Sequence, residues 1–273
     1  MMTYLPTFFL SHGGGPWPYM DGPFRRQFDT LEQSIKDIPR QAGGLPKAIL
    51  MVSGHWESDE FMVSSSPNPP MLYDYYGFPE HTYHVHYRAP GSPELAARVM
   101  DLLKAGGMKA HADAERGFDH GTFSLMEPMR PEADIPVVQM SIRQSFDPAE
   151  HIAAGRLLAP LREEGVLIIG SGLSYHNLRH FRDPSAAQPS AAFDGWLQDV
   201  LVNGDIAERS ARLAQWSTAP GARASHPRED HLIPLMVAVG AAEGEAGTTI
   251  YHENDFMGAV TASSFRFGEA AAA

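Results

Sequence analysis

Val166-Leu167-Ile168-Ile169-Gly170-Ser171-Gly172-Leu173-Ser174-Tyr175-His176-Asn177 is the stretch around which the chain is organised. Its leading residues are consecutive, branched and apolar, the pattern of a strand buried on both faces in a parallel sheet. Gly170, Ser171 and Gly172 read as the strand's end, where small residues let the backbone turn sharply, and His176 follows shortly after. Ligands of open α/β sheets bind just beyond the carboxyl ends of the strands, so His176 falls where a site would be. The same grammar occurs twice earlier. Thr7-Phe8-Phe9-Leu10 runs into Ser11-His12-Gly13-Gly14-Gly15, and Ala48-Ile49-Leu50-Met51-Val52 runs into Ser53-Gly54-His55-Trp56-Glu57. Three strands that each lead into a small-residue turn carrying a histidine point to a metal site.

Composition narrows the chemistry. The chain has no cysteine and 13 histidines, so any metal must be held by nitrogen and oxygen, which suits Fe(II), Zn, Mn or Ni. Disulfides and cysteine nucleophiles are excluded for the same reason. The formal charge of −12 is spread without long runs, which argues against a nucleic-acid surface. Met1 to Pro6 lacks the basic and apolar regions of a signal peptide, and no apolar run approaches the ~20 residues of a membrane span. A cytoplasmic enzyme is expected, without nucleic-acid or membrane partners.

Further along the chain, several segments bear on the site. The three glycines after His12 permit close backbone approach; a phosphate loop is the rival reading, weakened by the missing Lys-Ser/Thr. Phe24, Phe28, Leu31 and Ile35 fall at helical spacing over 23–38, and Pro39 is expected to close that helix. Glu57 reads either as a partner to the site or as a surface acid. Phe61-Met62-Val63-Ser64 reads as a short strand. Met71 to Pro79, rich in aromatics, reads as a loop shaping a pocket for a flat substrate, with Tyr75, Tyr76 and Phe78 as contacts. Tyr83 to Tyr87 alternates as a strand does, with His84 and His86 on one partly solvated face and His81 nearby. Ser92-Pro93 opens a helix that stops near Gly106-Gly107. Gly117 to Phe123 reads as a polar loop carrying His120, a site candidate. Ile135 to Ile142 reads as a strand, and Asp147-Pro148-Ala149-Glu150 as a capping box.

Residues 183–190 read as a surface connection before a helix around Phe193 to Leu201. Pro227 suits a helix's first turn, which would place Glu229, Asp230 and His231 in its opening turns. His226 and His231 compete as ligands there. His231, heading the apolar run Leu232 to Val239, is the preferred one, with His226 left as a substrate contact. Thr248 to Tyr251 and Ser264 to Phe267 read as closing strands, and the Ala-rich end is expected to fray.

These blocks resemble the class III extradiol ring-cleaving dioxygenases, the LigB-like family, in its DOPA-dioxygenase type. The matching segments are Ser11 to Pro16, Ser53 to Glu57, Tyr73 to Pro79, Ala89 to Leu95, Asp119 to Gly121, Gly170 to Asn177 and His226 to His231, in order along nearly the whole chain. The resemblance implies one α/β domain over 1–273, with a central, mostly parallel or mixed sheet flanked by helices. The metal site would lie at the C-terminal ends of the strands. It implies a non-haem Fe(II) centre, with Zn in some relatives, that opens a catechol ring with O₂ to a semialdehyde. In it His12, His55 and His231 match the metal ligands and His176 the acid–base histidine, a fourth ligand in some zinc-loaded relatives. His120 matches a second histidine near the bound oxygen. The expected partners are thus a small aromatic diol and O₂, and a homodimer is left open. The His-rich run at His81, His84 and His86 departs from the family pattern.

Two rivals remain. Three histidines and a water also make a hydrolytic zinc site. The same fold also resembles the Memo proteins, for which a binding role is proposed. Oxygen consumption with a catechol under Fe(II) separates a dioxygenase from the hydrolase, and turnover of any catechol separates it from a binding module.

Overall fold

The computed structural model describes residues 4–269; the Ala-rich end lies outside the described residues. Eight strands form one sheet: β1 (Thr7–Ser11), β2 (Ala48–Ser58), β3 (Phe61–Ser64), β4 (Ala110–Asp113), β5 (Val137–Arg143), β6 (Val166–Gly172), β7 (Gly247–Phe256) and β8 (Val260–Phe267). Their order is β4-β3-β5-β2-β6-β1-β8-β7. The centre, β5-β2-β6-β1, is parallel, while β3 and β8 run antiparallel to β5 and β1 and make the sheet mixed. A single α/β domain is therefore present, as expected.

Side chains alternate across a strand, and here the alternation divides the core in two. Phe9, Leu50, Val52 and Ile168 face one apolar cluster; Phe8, Leu10, Ile49, Met51, Leu167 and Ile169 face the other. The second face is covered by α1 (Gly22–Arg26), α2 (Asp29–Lys36) and α3 (Ile38–Gln41), together with α5 (His120–Met129). The first is covered by α4 (Pro93–Ala105), α6 (Pro148–Leu158), α7 (Ala187–Gln198), α8 (Arg209–Ala214), α9 (Ala222–Ser225) and α10 (Ile233–Ala241). The helix α5 (His120–Met129) is buried almost throughout. Among the described residues no helix is long and apolar enough to cross a membrane.

The central stretch behaves differently from its expected turn. β6 continues through Gly170, Ser171 and Gly172, which pair with Phe9, Leu10 and Ser11. The glycines are there for space. A Cβ on Gly170 would lie 2.3 Å from the Pro234 carbonyl oxygen, and one on Gly172 would lie 2.1 Å from that of His231. β2 likewise runs on to Ser58, with a bulge between Ser53 and Glu57 that places His55 inside the strand.

Other expectations also shift. The helix foreseen over 23–38 is three short helices, and Pro39 sits in the first turn of α3, where its missing N–H is harmless. Tyr83 to Tyr87 is no strand: a 3₁₀ turn covers Glu80–His84, and His81, His84 and His86 are exposed. His120 begins a helix rather than lying in a loop, because Asp119 caps it by accepting from Thr122 N. Pro227 opens no helix; α10 starts at Ile233 with Pro234 in its first turn. The surface connection ends sooner, since α7 begins at Ala187. The caps at Ser92 and Asp147 form, but Glu150 turns to Arg143 and Ser145 instead of closing a box.

Gly170→Ala is expected to destabilise the fold by at least ~1–3 kcal/mol, because α10 must move away from the sheet. Gly195→Ala, with nothing within 4 Å of its new methyl on an exposed helical position, should gain about 0.5–1 kcal/mol. Urea unfolding midpoints measure both.

Candidate metal centre

Four histidines enter one pocket from four points of the sheet's end, and a fifth closes it. His12 follows β1, His55 sits in the β2 bulge, His176 follows β6, His231 precedes α10, and His120 opens α5. The Nε2 atom of His55 lies 3.2 Å from that of His12 and 3.1 Å from that of His231. The rings of those three are 4.6–5.1 Å apart, centre to centre. Donor atoms of His12, His55 and His120 lie within 4.8 Å of one another, and so do those of His176, Asp230 and His231. His176 stacks on His231 at 3.3 Å between ring centres.

Carboxylates behind the imidazoles decide which nitrogen faces the pocket. Asp230 Oδ2 accepts from His231 Nδ1 at 2.7 Å, and Asp74 Oδ2 lies 3.3 Å from His55 Nδ1. Asp74 Oδ1 accepts from both the backbone N and Nδ1 of His120, at 3.0 and 2.8 Å. With Nδ1 carrying the proton, each Nε2 presents a bare lone pair. Two bare lone pairs about 3 Å apart repel each other, and a cation between them relieves that. The donor set therefore fits a metal ion, with carboxylate–histidine pairs of the kind that fix imidazole ligands.

The supports reach further back. Asp119, fully buried, accepts from Ser53 Oγ at 3.0 Å, Arg116 at 2.7 Å, Gln139 at 3.0 Å and Thr122 N at 3.1 Å. It thereby ties the His55 bulge to the start of α5 and satisfies its own buried charge. Trp17 Nε1 and Ser124 Oγ both donate to the His12 carbonyl, at 2.8 and 3.1 Å. Gly13 has φ +79° and lies so close to Trp17 that a Cβ would approach its indole nitrogen to 2.6 Å. Gly13 and Gly15 are thus packing devices against Trp17 and Phe78, while Gly14 meets no such constraint.

Burial is the first cause, and neighbouring imidazoles the next, that holds His12, His55 and His231 well below the usual histidine range. Burial pushes His176 down to about 3 and Asp230 up to about 6. Burial is also the largest influence on Asp74 and pushes it up, but the hydrogen bonds from His120 and the attraction of His120 and His55 together outweigh it and leave the carboxyl at about 2. His12, His55, His176 and His231 are consequently neutral at pH 7, the form that ligates metals.

The pocket is a cavity of about 630 Å³. Of the substrate contacts expected from sequence, Tyr75, Tyr76 and Phe78 line it, as does His120. His226 does not. It is fully buried behind the site, with Nε2 donating to the Ser174 carbonyl at 2.8 Å and its ring packed near Phe193 and Trp216. His226 is therefore a core residue and no substrate contact. Glu57 lines the cavity, paired with Arg228. Sequence reading passed over Asp74, Asp230, Leu173, Phe181 and Phe256. The signal for Asp230 was its place beside His231; Asp74 had only the company of aromatic residues.

The chain from 6 to 268 matches the family described as the catalytic LigB subunit of aromatic ring-opening dioxygenase. A 4,5-DOPA dioxygenase extradiol of Beta vulgaris is 39% identical over 96% of both chains, and one of Escherichia coli K12 is 34% identical over 97% of this chain and 96% of its own. The crystal structure of an uncharacterised Escherichia coli K12 protein superposes with a TM-score of 0.78 at 31% identity, covering 97% of this chain and all of that one. The chain therefore belongs to the LigB family of aromatic ring-opening dioxygenases, within its extradiol class.

Proposed function

We propose that the protein is a non-haem Fe(II) extradiol dioxygenase that opens a catechol beside its two hydroxyls with O₂ to give a semialdehyde. The observation that carries this reading is the convergence of the His12, His55 and His231 Nε2 atoms at 3.1–3.2 Å, with carboxylates behind two of them. His231 is preferred to His120 as the third ligand. Its Nε2 points edge-on at that of His55, whereas His120 lies with its ring tilted 51° against the His55 ring at 3.9 Å. His12, His55 and His231 would hold Fe(II), which would supply the chemistry for activating the diol and O₂, and as neutral imidazoles they would leave its positive charge undiminished. Zn would fit the same nitrogens without supplying the redox chemistry.

The chain's own groups do the rest. His176, neutral and beside the ligand cluster, has a nitrogen lone pair for the second hydroxyl proton and can return that proton to the product. His120, whose Nδ1 donates to Asp74, would donate from Nε2 to an anionic oxygen in the pocket only as an imidazolium paired with that carboxylate. Tyr75 and Phe78 wall the ring's flat face and keep water out.

His12→Ala, His55→Ala and His231→Ala should each lose metal in elemental analysis, while circular dichroism stays that of the parent. His226→Ala should keep its metal yet lose ~2–5 kcal/mol of stability, since it removes a buried, hydrogen-bonded ring. His176→Ala should retain most of its iron and lose about 10²-fold or more in turnover. Oxygen uptake by the Fe(II)-loaded protein with a catechol is the direct assay; a metal-loaded protein that hydrolyses esters and takes up no oxygen would end the reading.

A further inference from the structure

The distribution of charge in the cavity goes beyond the reaction itself. Besides Tyr75 and Tyr76, the ionisable groups lining it are the five histidines, Asp74, Asp230, Glu57 and Arg228. The carboxylates and the one guanidinium among them are paired within the lining. Asp74 and Asp230 hold imidazoles, and Glu57 accepts from both Nη atoms of Arg228. Arg228, the lining's one Lys or Arg, also lies 4.0 Å from Asp230 Oδ2 and sits over the Phe146 ring at 4.8 Å. The remaining wall is apolar: Phe24, Phe78, Leu173, Phe181, Phe256 and Met257. Its outer edge carries Tyr76 and Leu178, which are 92% and 71% exposed. A substituent reaching out of the cavity would meet these apolar side chains.

We infer that the cavity selects catechols whose ring carries an apolar alkyl or aryl substituent over those whose substituent is charged, an inference that rests on the ring-opening reading of the site. A substituent carboxylate entering this wall would be desolvated without a cation to meet it, because Arg228 is spent on Glu57. A substituent ammonium would find only carboxylates already bonded. An alkyl chain leaves water for Phe181, Phe256 and Met257 and gains for each methylene it buries. The next cations outward, Arg179 and Arg182, line a neighbouring surface groove that shares Leu178, Phe181 and Met257 with the cavity.

The test measures dissociation constants of the full-length, metal-loaded protein under argon for catechol, 4-methyl-, 4-ethyl- and 4-propylcatechol, 3,4-dihydroxyphenylacetate and L-DOPA, and then kcat/KM in air. Binding should tighten about fourfold per methylene across the alkyl series. 4-Propylcatechol should exceed both charged catechols at least tenfold in each measure. Equal or tighter binding of either charged catechol would overturn the inference. Leu178→Arg, at a position too exposed to affect folding, places an unpaired cation at the mouth and should cut the preference for 4-propylcatechol over 3,4-dihydroxyphenylacetate at least tenfold. An unchanged ratio would also overturn it. An intact binding order with no oxygen uptake would uphold the inference while ending the ring-opening reading.

Discussion

The metal centre depends on one backbone contact: the carbonyls of His231 and Pro234 lying flush against Gly172 and Gly170 of β6. No side chain fits between them. This contact brings the segment before α10 down onto the sheet, and with it the imidazole of His231 and the carboxylate of Asp230. Gly54 makes a similar contact from β2, since a Cβ there would come within 2.9 Å of the Asp230 carbonyl. Three strand glycines thus hold one loop at a fixed height above the strands' ends. The loop's Leu173 N to His231 O hydrogen bond, 3.1 Å long, completes the attachment.

On that scaffold the electrostatics follow from exclusion of water. Several imidazoles packed this closely could not share a pocket if they were charged, and burial holds those of His12, His55, His176 and His231 neutral. Carboxylates at the back orient two of them and leave their front nitrogens facing each other. An arrangement of this kind stores repulsion until a cation arrives, and it is Asp74, Asp230 and the buried Asp119 that keep it in register.

The sequence disclosed the strands of the parallel centre through their unbroken apolar runs, because burial on both faces leaves no polar interruption to mislead. It also disclosed the histidines, whose small-residue neighbours set them apart. The purpose of those small residues was misjudged. Gly170 and Gly172 looked like a turn, and only the partner backbone, remote in sequence, explains them as packing sites. His226 was misplaced for a related reason: nothing local separates a histidine bonded to the Ser174 carbonyl from one that faces a ligand. Asp74 went unread because its partners, His55 and His120, lie 19 and 46 residues away. The run at His84 and His86 alternated like a strand, but it had no neighbour to pair with and turned at Glu80 instead.

Asp74 occupies the same loop as Tyr75, Tyr76 and Phe78, so one short segment both lines the cavity and steers two imidazoles. Evolution cannot remodel that wall freely, since a shift that widened it would also rotate His55 and His120. Diversification of what the enzyme accepts is thereby channelled to the part of the wall around Leu178, Phe181 and Met257, which steer none of the imidazoles. Two relatives with identical metal centres should accordingly keep the aromatic loop in common and differ in that part of the wall.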